Sequence, residues 1–198
     1  MHLKIKLAAL ALVSAAATTH AEVRSFWFSG TVDYSLPMAP AGTVITGTFS
    51  YDLGTEPDYT SGDPCGPGYG NSAYAFQHSF SATVNGHTIT SAPVYTEVVN
   101  NFGGNVEDVL TVYGQPMTLD GTSFPEGLIG FQLASGPGNT EVFRCTRMPR
   151  GIHLKRFDSG NYGWRSGWIM TDGGPNGMLL TFVVDRVVSL RGNIPDDE

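Results

Sequence analysis

Beyond an apolar opening run, the chain settles into short segments in which hydrophobic and polar residues alternate. Each segment ends in a cluster of Gly, Asn, Asp or Pro. A period of two is the signature of a strand that buries one face. Residues 25–34 and 43–52 read as strands, the second with Ile45, Phe49 and Tyr51 on one face. Residues 74–84 put Tyr74, Phe76, His78, Phe80, Ala82 and Val84 on one face, and Asn85-Gly86 turns the chain into residues 87–92. Asn-Gly between two alternating runs predicts a type I′ hairpin, because both turn positions need positive φ. Phe80 should then lie opposite Ser91, and Ala82 opposite Ile89. Further strands are expected at 94–99, 108–113, 128–134, 152–157 and 162–170. Residues 178–190 form the longest run (MLLTFVVDRVVSL) and belong in the middle of a sheet. Residues 54–71 read as a polar loop.

Nine or ten one-faced strands predict an all-β fold, an antiparallel β-sandwich of jelly-roll-like character, because two sheets can bury their apolar faces against each other. A closed barrel is the second choice. Helices are disfavoured, since 25 Gly and 12 Pro interrupt almost every window long enough to hold one. The expected organisation is a signal peptide at 1–21, one β-sandwich domain at 22–191 and a flexible acidic tail at 192–198. Lys4 and Lys6 supply the positive start of that signal, residues 7–17 (LAALALVSAAA) its apolar run, and Thr19 and Ala21 the small residues of its cleavage site. The run is too short to span a bilayer, which takes about 20 residues. The mature chain is therefore expected to be secreted or periplasmic, with no transmembrane anchor.

Charge sharpens this picture. Without Lys4 and Lys6, nine basic residues face 18 acidic ones, a formal −9 that argues against general nucleic-acid binding. Six of the nine (Arg144, Arg147, Arg150, Lys155, Arg156 and Arg165) fall within 22 residues, opposed only by Asp158. They are expected to neutralise acidic neighbours in the fold; the alternative is a patch for an anionic partner such as an acidic polysaccharide. Cys65 and Cys145 are the only cysteines. In an exported chain without Cys-x-x-Cys spacing they predict a structural disulfide.

The order of segments carries a family resemblance. Residues 45–52 (ITGTFSYD), a polar loop, Tyr74-Ala75-Phe76, residues 80–86 (FSATVNG), Asp108-Val109-Leu110, residues 129–133 (IGFQL) and residues 180–184 (LTFVV) follow one another. The whole mature chain resembles the secreted β-rich proteins that often carry a PEP-CTERM sorting tail in exopolysaccharide-producing Gram-negative bacteria. That resemblance implies an exported location and a β fold, and it implies no activity, since most members have none assigned. The usual Pro-Glu-Pro, apolar helix and basic cluster do not occur here; the sequence stops at residues 194–198 (IPDDE). Plain secretion or periplasmic residence is expected in place of membrane-linked sorting.

Reactive constellations are few. There is no Gly-x-Ser-x-Gly elbow and no His-Glu-x-x-His or His-x-His pair among His78, His87 and His153. His78 reads as a core residue between Phe76 and Phe80, and His87 as solvated. Glu97, Glu107, Asp108, Asp120 and Glu126 could supply a glycosidase its two convergent carboxylates, Glu97 being the most suggestive. Asp52, Glu56, Asp58 and Asp63 gather hard oxygen ligands without calcium-loop spacing, and acidic loop solubility explains them as well. Residues 66–70 (GPGYG) precede a strand and so offer an anion no helix N-terminus. Tyr162, Trp164 and Trp168 share a face that could stack on sugar rings, although a sandwich core is the expected use. No catalytic residue, metal site or cofactor is therefore assigned. The expectation is an exported, non-catalytic β-sandwich that binds or builds extracellular matrix, with extracellular polysaccharide or matrix proteins as partners. The alternative is a carbohydrate-active enzyme or sugar-binding module on a jelly-roll scaffold.

Overall fold

The computed structural model describes residues 22–66, 68–102, 107–136, 142–157, 164–172 and 177–190. The expected signal peptide at 1–21, Tyr162 and the acidic tail at 192–198 lie outside them. Among the described residues the protein is all-β and antiparallel. Its strands are β1 (Glu22–Val32), β2 (Val44–Leu53), β3 (Tyr59–Gly62), β4 (Gly70–Phe76), β5 (Phe80–Val84), β6 (His87–Ser91) and β7 (Val94–Phe102). They continue as β8 (Glu107–Gly114), β9 (Met117–Leu119), β10 (Thr122–Phe124), β11 (Leu128–Ala134), β12 (Trp164–Met170) and β13 (Met178–Ser189).

These strands form one continuous sheet in the order β10-β9-β6-β5-β2-β1-β13-β12-β11-β8-β7-β4-β3, curled into a half-barrel. The two sheets of a sandwich are thus the two arms of a single sheet, joined through β13, the seventh of thirteen strands. That position matches the long apolar run at its sequence. The arms meet over an aromatic core: the ring of Phe131 on β11 lies 5.7 Å from Phe28, 5.3 Å from Phe49 and 6.3 Å from Phe80. Tyr51 on β2 reaches Phe76 on β4 at 6.0 Å. All of these side chains are buried, so the concave side is filled.

The predicted hairpin is present. Phe80 pairs with Ser91, Ala82 with Ile89 and Val84 with His87. Asn85 and Gly86 both take positive φ, 49° and 81°, as a type I′ turn requires.

Three expectations need correction. Residues 74–84 do not form one strand: β4 pairs with β7 in one arm and β5 with β2 in the other, and Gln77, His78 and Ser79 carry the chain between them. The alternation survives the break because both arms point their apolar residues into the same core. Residues 54–71 are not all loop, since β3 pairs with β4 as an edge strand. Residues 152–157 are not a strand; Ile152 and Phe157 are buried, but Leu154–Phe157 is a 3-10 turn.

Residues 142–157 lie as a strap against the core. Phe143, Met148, Ile152 and Phe157 enter it. Polar anchors fix the rest: the Tyr51 hydroxyl donates to the Pro149 carbonyl at 2.6 Å and the Tyr74 hydroxyl to the Thr146 carbonyl at 2.7 Å. The Thr146 N–H donates to the Pro64 carbonyl at 2.8 Å. Beside it, Cys65 and Cys145 are joined as a disulfide, with Cα atoms 4.1 Å apart.

Candidate functional site

Strict alternation gives each strand a core face and an outer face, so the outer face follows from the register. On β7 the core takes Val94, Thr96 and Val98, which leaves Tyr95, Glu97 and Val99 outside. On β8 Leu110 and Val112 point to the core, while Val109, Thr111 and Tyr113 lie on the outer face, where Val109 and Thr111 are nonetheless buried. Cross-strand pairing then lines up three rows across β7, β8, β11 and β12. One row is Tyr95, Tyr113, Gly130 and Trp168. The next is Glu97, Thr111, Gln132 and Ser166, and the third is Val99, Val109, Ala134 and Trp164.

The first row is aromatic. The rings of Tyr95 and Tyr113 stack, with centroids 5.2 Å apart and planes 21° from parallel. Gly130 lets Tyr113 approach closely: a Cβ there would stand 2.6 Å from the Cβ of Tyr113. Trp168 lies directly across from Gly130 and is half-buried. At the usual strand spacing this row is about 14 Å wide. Burial first, then the neighbouring Tyr95 and Glu97, push the Tyr113 phenol above its usual range.

The second row is polar and internally bonded. Gln132 donates to Thr111 Oγ1 at 3.1 Å and accepts the Trp164 indole N–H at 3.1 Å. Asn71 on β4 donates to Glu97 Oε1 at 2.7 Å. Trp164 is 52% exposed and yet its indole is orientated by that bond. Val99, Val109 and Ala134 form a small buried apolar cluster beside it. The patch is therefore a broad face with aromatic rings at both ends of β12 and hydrogen-bonding groups between the rows. Such a face suits a ring that is apolar on its C–H side and polar at its rim.

Trp164 and Trp168 are thus not core residues, against the expectation; the core face of β12 belongs to Gly167 and Ile169. Gly167 is there because a Cβ would strike the Phe182 ring at 2.1 Å. Tyr95 and Tyr113 were not singled out in the sequence. Their signal is an aromatic at the outward position of an alternating strand, where Ser, Thr or a charge is usual.

The other candidate residues scatter. Glu97 projects from the outer face, whereas Asp108 on β8 is fully buried on the core side. Glu107 is four residues from Thr111, the partner of Glu97, a separation of about 13 Å along the strand. Asp120 and Glu126 lie around β9 and β10 at the far edge of the other arm. Asp120 accepts from the ring of His87 at 2.6 Å and from the Thr88 N–H at 2.8 Å, bonds that hold its carboxyl below the usual range. Glu97 and Asp108 therefore lie on opposite faces of one arm, with Asp120 and Glu126 in the other.

The acidic loop is divided in the same way. Asp52 meets His78 at 3.0 Å, Asp58 accepts the Ala75 N–H at 2.7 Å and Asp63 the Cys65 N–H at 3.3 Å. His78 is consequently half-buried in the crossover and hydrogen-bonded to Asp52, not a core residue. His87 is 41% exposed and bonded to Asp120. No group of three or more metal-ligating side chains occurs among the described residues.

Four cations of the basic stretch stand apart from the acidic side chains that the structure describes. Arg144, Arg147, Arg150 and Lys155 are exposed, and among the described residues none of them meets a carboxylate. Among those residues, too, no helix is long and apolar enough to cross a membrane. No family model, curated protein or solved structure matches this chain.

Proposed function

We propose that this is an exported, non-catalytic β-protein that binds extracellular polysaccharide through the outer face of β7, β8, β11 and β12. The observation that carries the reading is the row Tyr95, Tyr113, Gly130 and Trp168 with its polar neighbours. Sugar rings stack their C–H faces on aromatic planes, while Glu97, Gln132 and Ser166 lie within the same face to bond the hydroxyls. Tyr95 and Tyr113 are stacked and Trp164 is bonded in place, so little ordering is left to occur on binding.

Export is supported by the signal-like first 21 residues, and a Cys65–Cys145 bridge is compatible with an oxidising compartment. The resemblance to secreted β-rich proteins of exopolysaccharide producers favours a matrix role on the same grounds. Catalysis is disfavoured because Glu97 and Asp108 project to opposite faces of the sheet.

Affinity electrophoresis through gels containing neutral and acidic polysaccharides tests the reading. Wild type should be retarded by at least one polymer, and Tyr95→Ala and Trp164→Ala should each weaken that binding about tenfold or more. Unchanged retardation of both variants would contradict it.

A further inference from the structure

The strap at 142–157 has a second surface that the aromatic face does not use. Its sequence, VFRCTRMPRGIHLKRF, holds five Arg and Lys residues and no Asp or Glu, in a chain whose formal charge is −7. The strap separates its residues by chemistry. Phe143, Met148, Ile152 and Phe157 are in the core, while Arg144, Arg147, Arg150, Lys155 and Arg156 are exposed. A basic loop folded for its own stability would set these cations against carboxylates. Here Arg144, Arg147, Arg150 and Lys155 have none among the described residues.

The backbone beneath them is tied down at close intervals. The Phe143 N–H donates to Asp108, Cys145 is bridged to Cys65, Thr146 bonds to Pro64, Ser72 and Tyr74, and the Pro149 carbonyl accepts from Tyr51. The cations from Arg144 to Arg150 therefore project from a fixed base, as a preorganised charge surface requires.

We infer that the strap is an anion-binding surface, and that the polysaccharide recognised by this protein is acidic, carrying carboxylate or sulfate groups. The inference rests on the polysaccharide-binding reading above and names its ligand class. Guanidinium groups pair with carboxylate and sulfate oxygens through two parallel N–H donors, which Lys cannot do. A nucleic acid fits less well. Both phenylalanines of the strap, Phe143 and Phe157, are buried and so not offered for base stacking, and the acidic remainder of the protein opposes so densely charged a polymer.

The test uses polygalacturonate, alginate and dextran sulfate beside carboxyl-reduced polygalacturonate, carboxyl-reduced alginate and plain dextran, with affinities measured from low to high salt. Wild type should bind at least one acidic polymer about tenfold or more tightly than its neutral counterpart, and the preference should fall steeply with salt. Arg144→Gln/Arg147→Gln/Arg150→Gln replaces only exposed side chains. That variant should keep the wild-type melting temperature and any affinity for neutral polymers while losing the acidic preference and its salt dependence. Equal binding of charged and neutral forms by wild type, a triple variant that retains the preference, or no binding to any acidic polymer would overturn the inference. Failure of the aromatic face is separately visible. Acidic binding that the triple variant loses but Tyr95→Ala and Trp164→Ala retain would support the strap and contradict the platform.

Discussion

The carboxylate of Asp108, fully buried on β8, accepts the backbone N–H of Phe143 at 2.8 Å and so pins the strap to the sheet. Its other oxygen accepts the Asn101 N–H at 3.0 Å. Asp108→Asn keeps the shape but turns an NH2 towards one of these donors, and should cost about 2–3 kcal/mol in urea unfolding at neutral pH. Burial raises the Asp108 carboxyl more than the donors of Phe143, Asn101 and Val142 lower it. A carboxyl raised in the folded state holds its proton there more readily than in the unfolded chain. Its contribution to stability therefore falls as pH rises from the ordinary 3.8 through the raised value. The deficit of Asp108→Asn should narrow across that window. A deficit that widens with pH would contradict this assignment.

The disulfide closes a separation of 80 residues between the loop after β3 and the strap. Cys65→Ser/Cys145→Ser should lose about 4.5 kcal/mol by the chain-entropy relation. Thiol titration of unreduced wild type should find no free thiol; two per chain would remove the bridge from the account.

Two glycines should fail for different reasons. Gly86 has φ +81° and open space around the position of a Cβ, so Gly86→Val should cost about 1–2 kcal/mol from backbone strain. At Gly167 the Phe182 ring occupies the place of a Cβ, and Gly167→Ala should cost about 1–3 kcal/mol from displaced packing. Thermal unfolding compares them. Pairing Gly167→Ala with Phe182→Leu should recover part of its loss, whereas Phe182→Leu should leave the cost of Gly86→Val unchanged.

Export predicts cleavage after Ala21. N-terminal sequencing of exported protein should begin at Glu22 or within a residue or two, and intact Met1 on exported, folded material would contradict it.

Strand content was legible wherever alternation is strict and bounded by turn residues, as at Phe80–Ser91 with its Asn-Gly turn. Alternation alone does not say which partner a strand takes. Tyr74, Phe76 and Phe80 share one period, yet β4 and β5 sit in opposite arms, because a core enclosed by a curled sheet accepts the same face from either side. Short edge pairs such as β9 with β10 escape a reading that needs several residues of pattern. Phe157 shows the reverse case, an apolar spacing that seals a core from a 3-10 turn. In the candidate site, Trp164 and Trp168 were visible as a pair, but their face depends on which side of β12 meets Phe182. Tyr95 and Tyr113 join them only through the register of β7, β8 and β11, a long-range property that local pattern does not carry.

The three tryptophans, Trp27, Trp164 and Trp168, offer the most direct measurement of the central claim. Trp27 also lies on the outer face, but on β1 opposite Val188, whereas Trp168 is opposite Thr181 on the same β13. That separation is about 23 Å along the strand. Indole N–H resonances followed by NMR during titration with short oligosaccharides of the best-bound polymer should show Trp164 and Trp168 shifting together and saturating, with Trp27 unmoved. Shifts confined to Trp27, or none at saturating oligosaccharide, would show that the face built from Tyr95, Tyr113, Trp164 and Trp168 is not where this protein meets sugar.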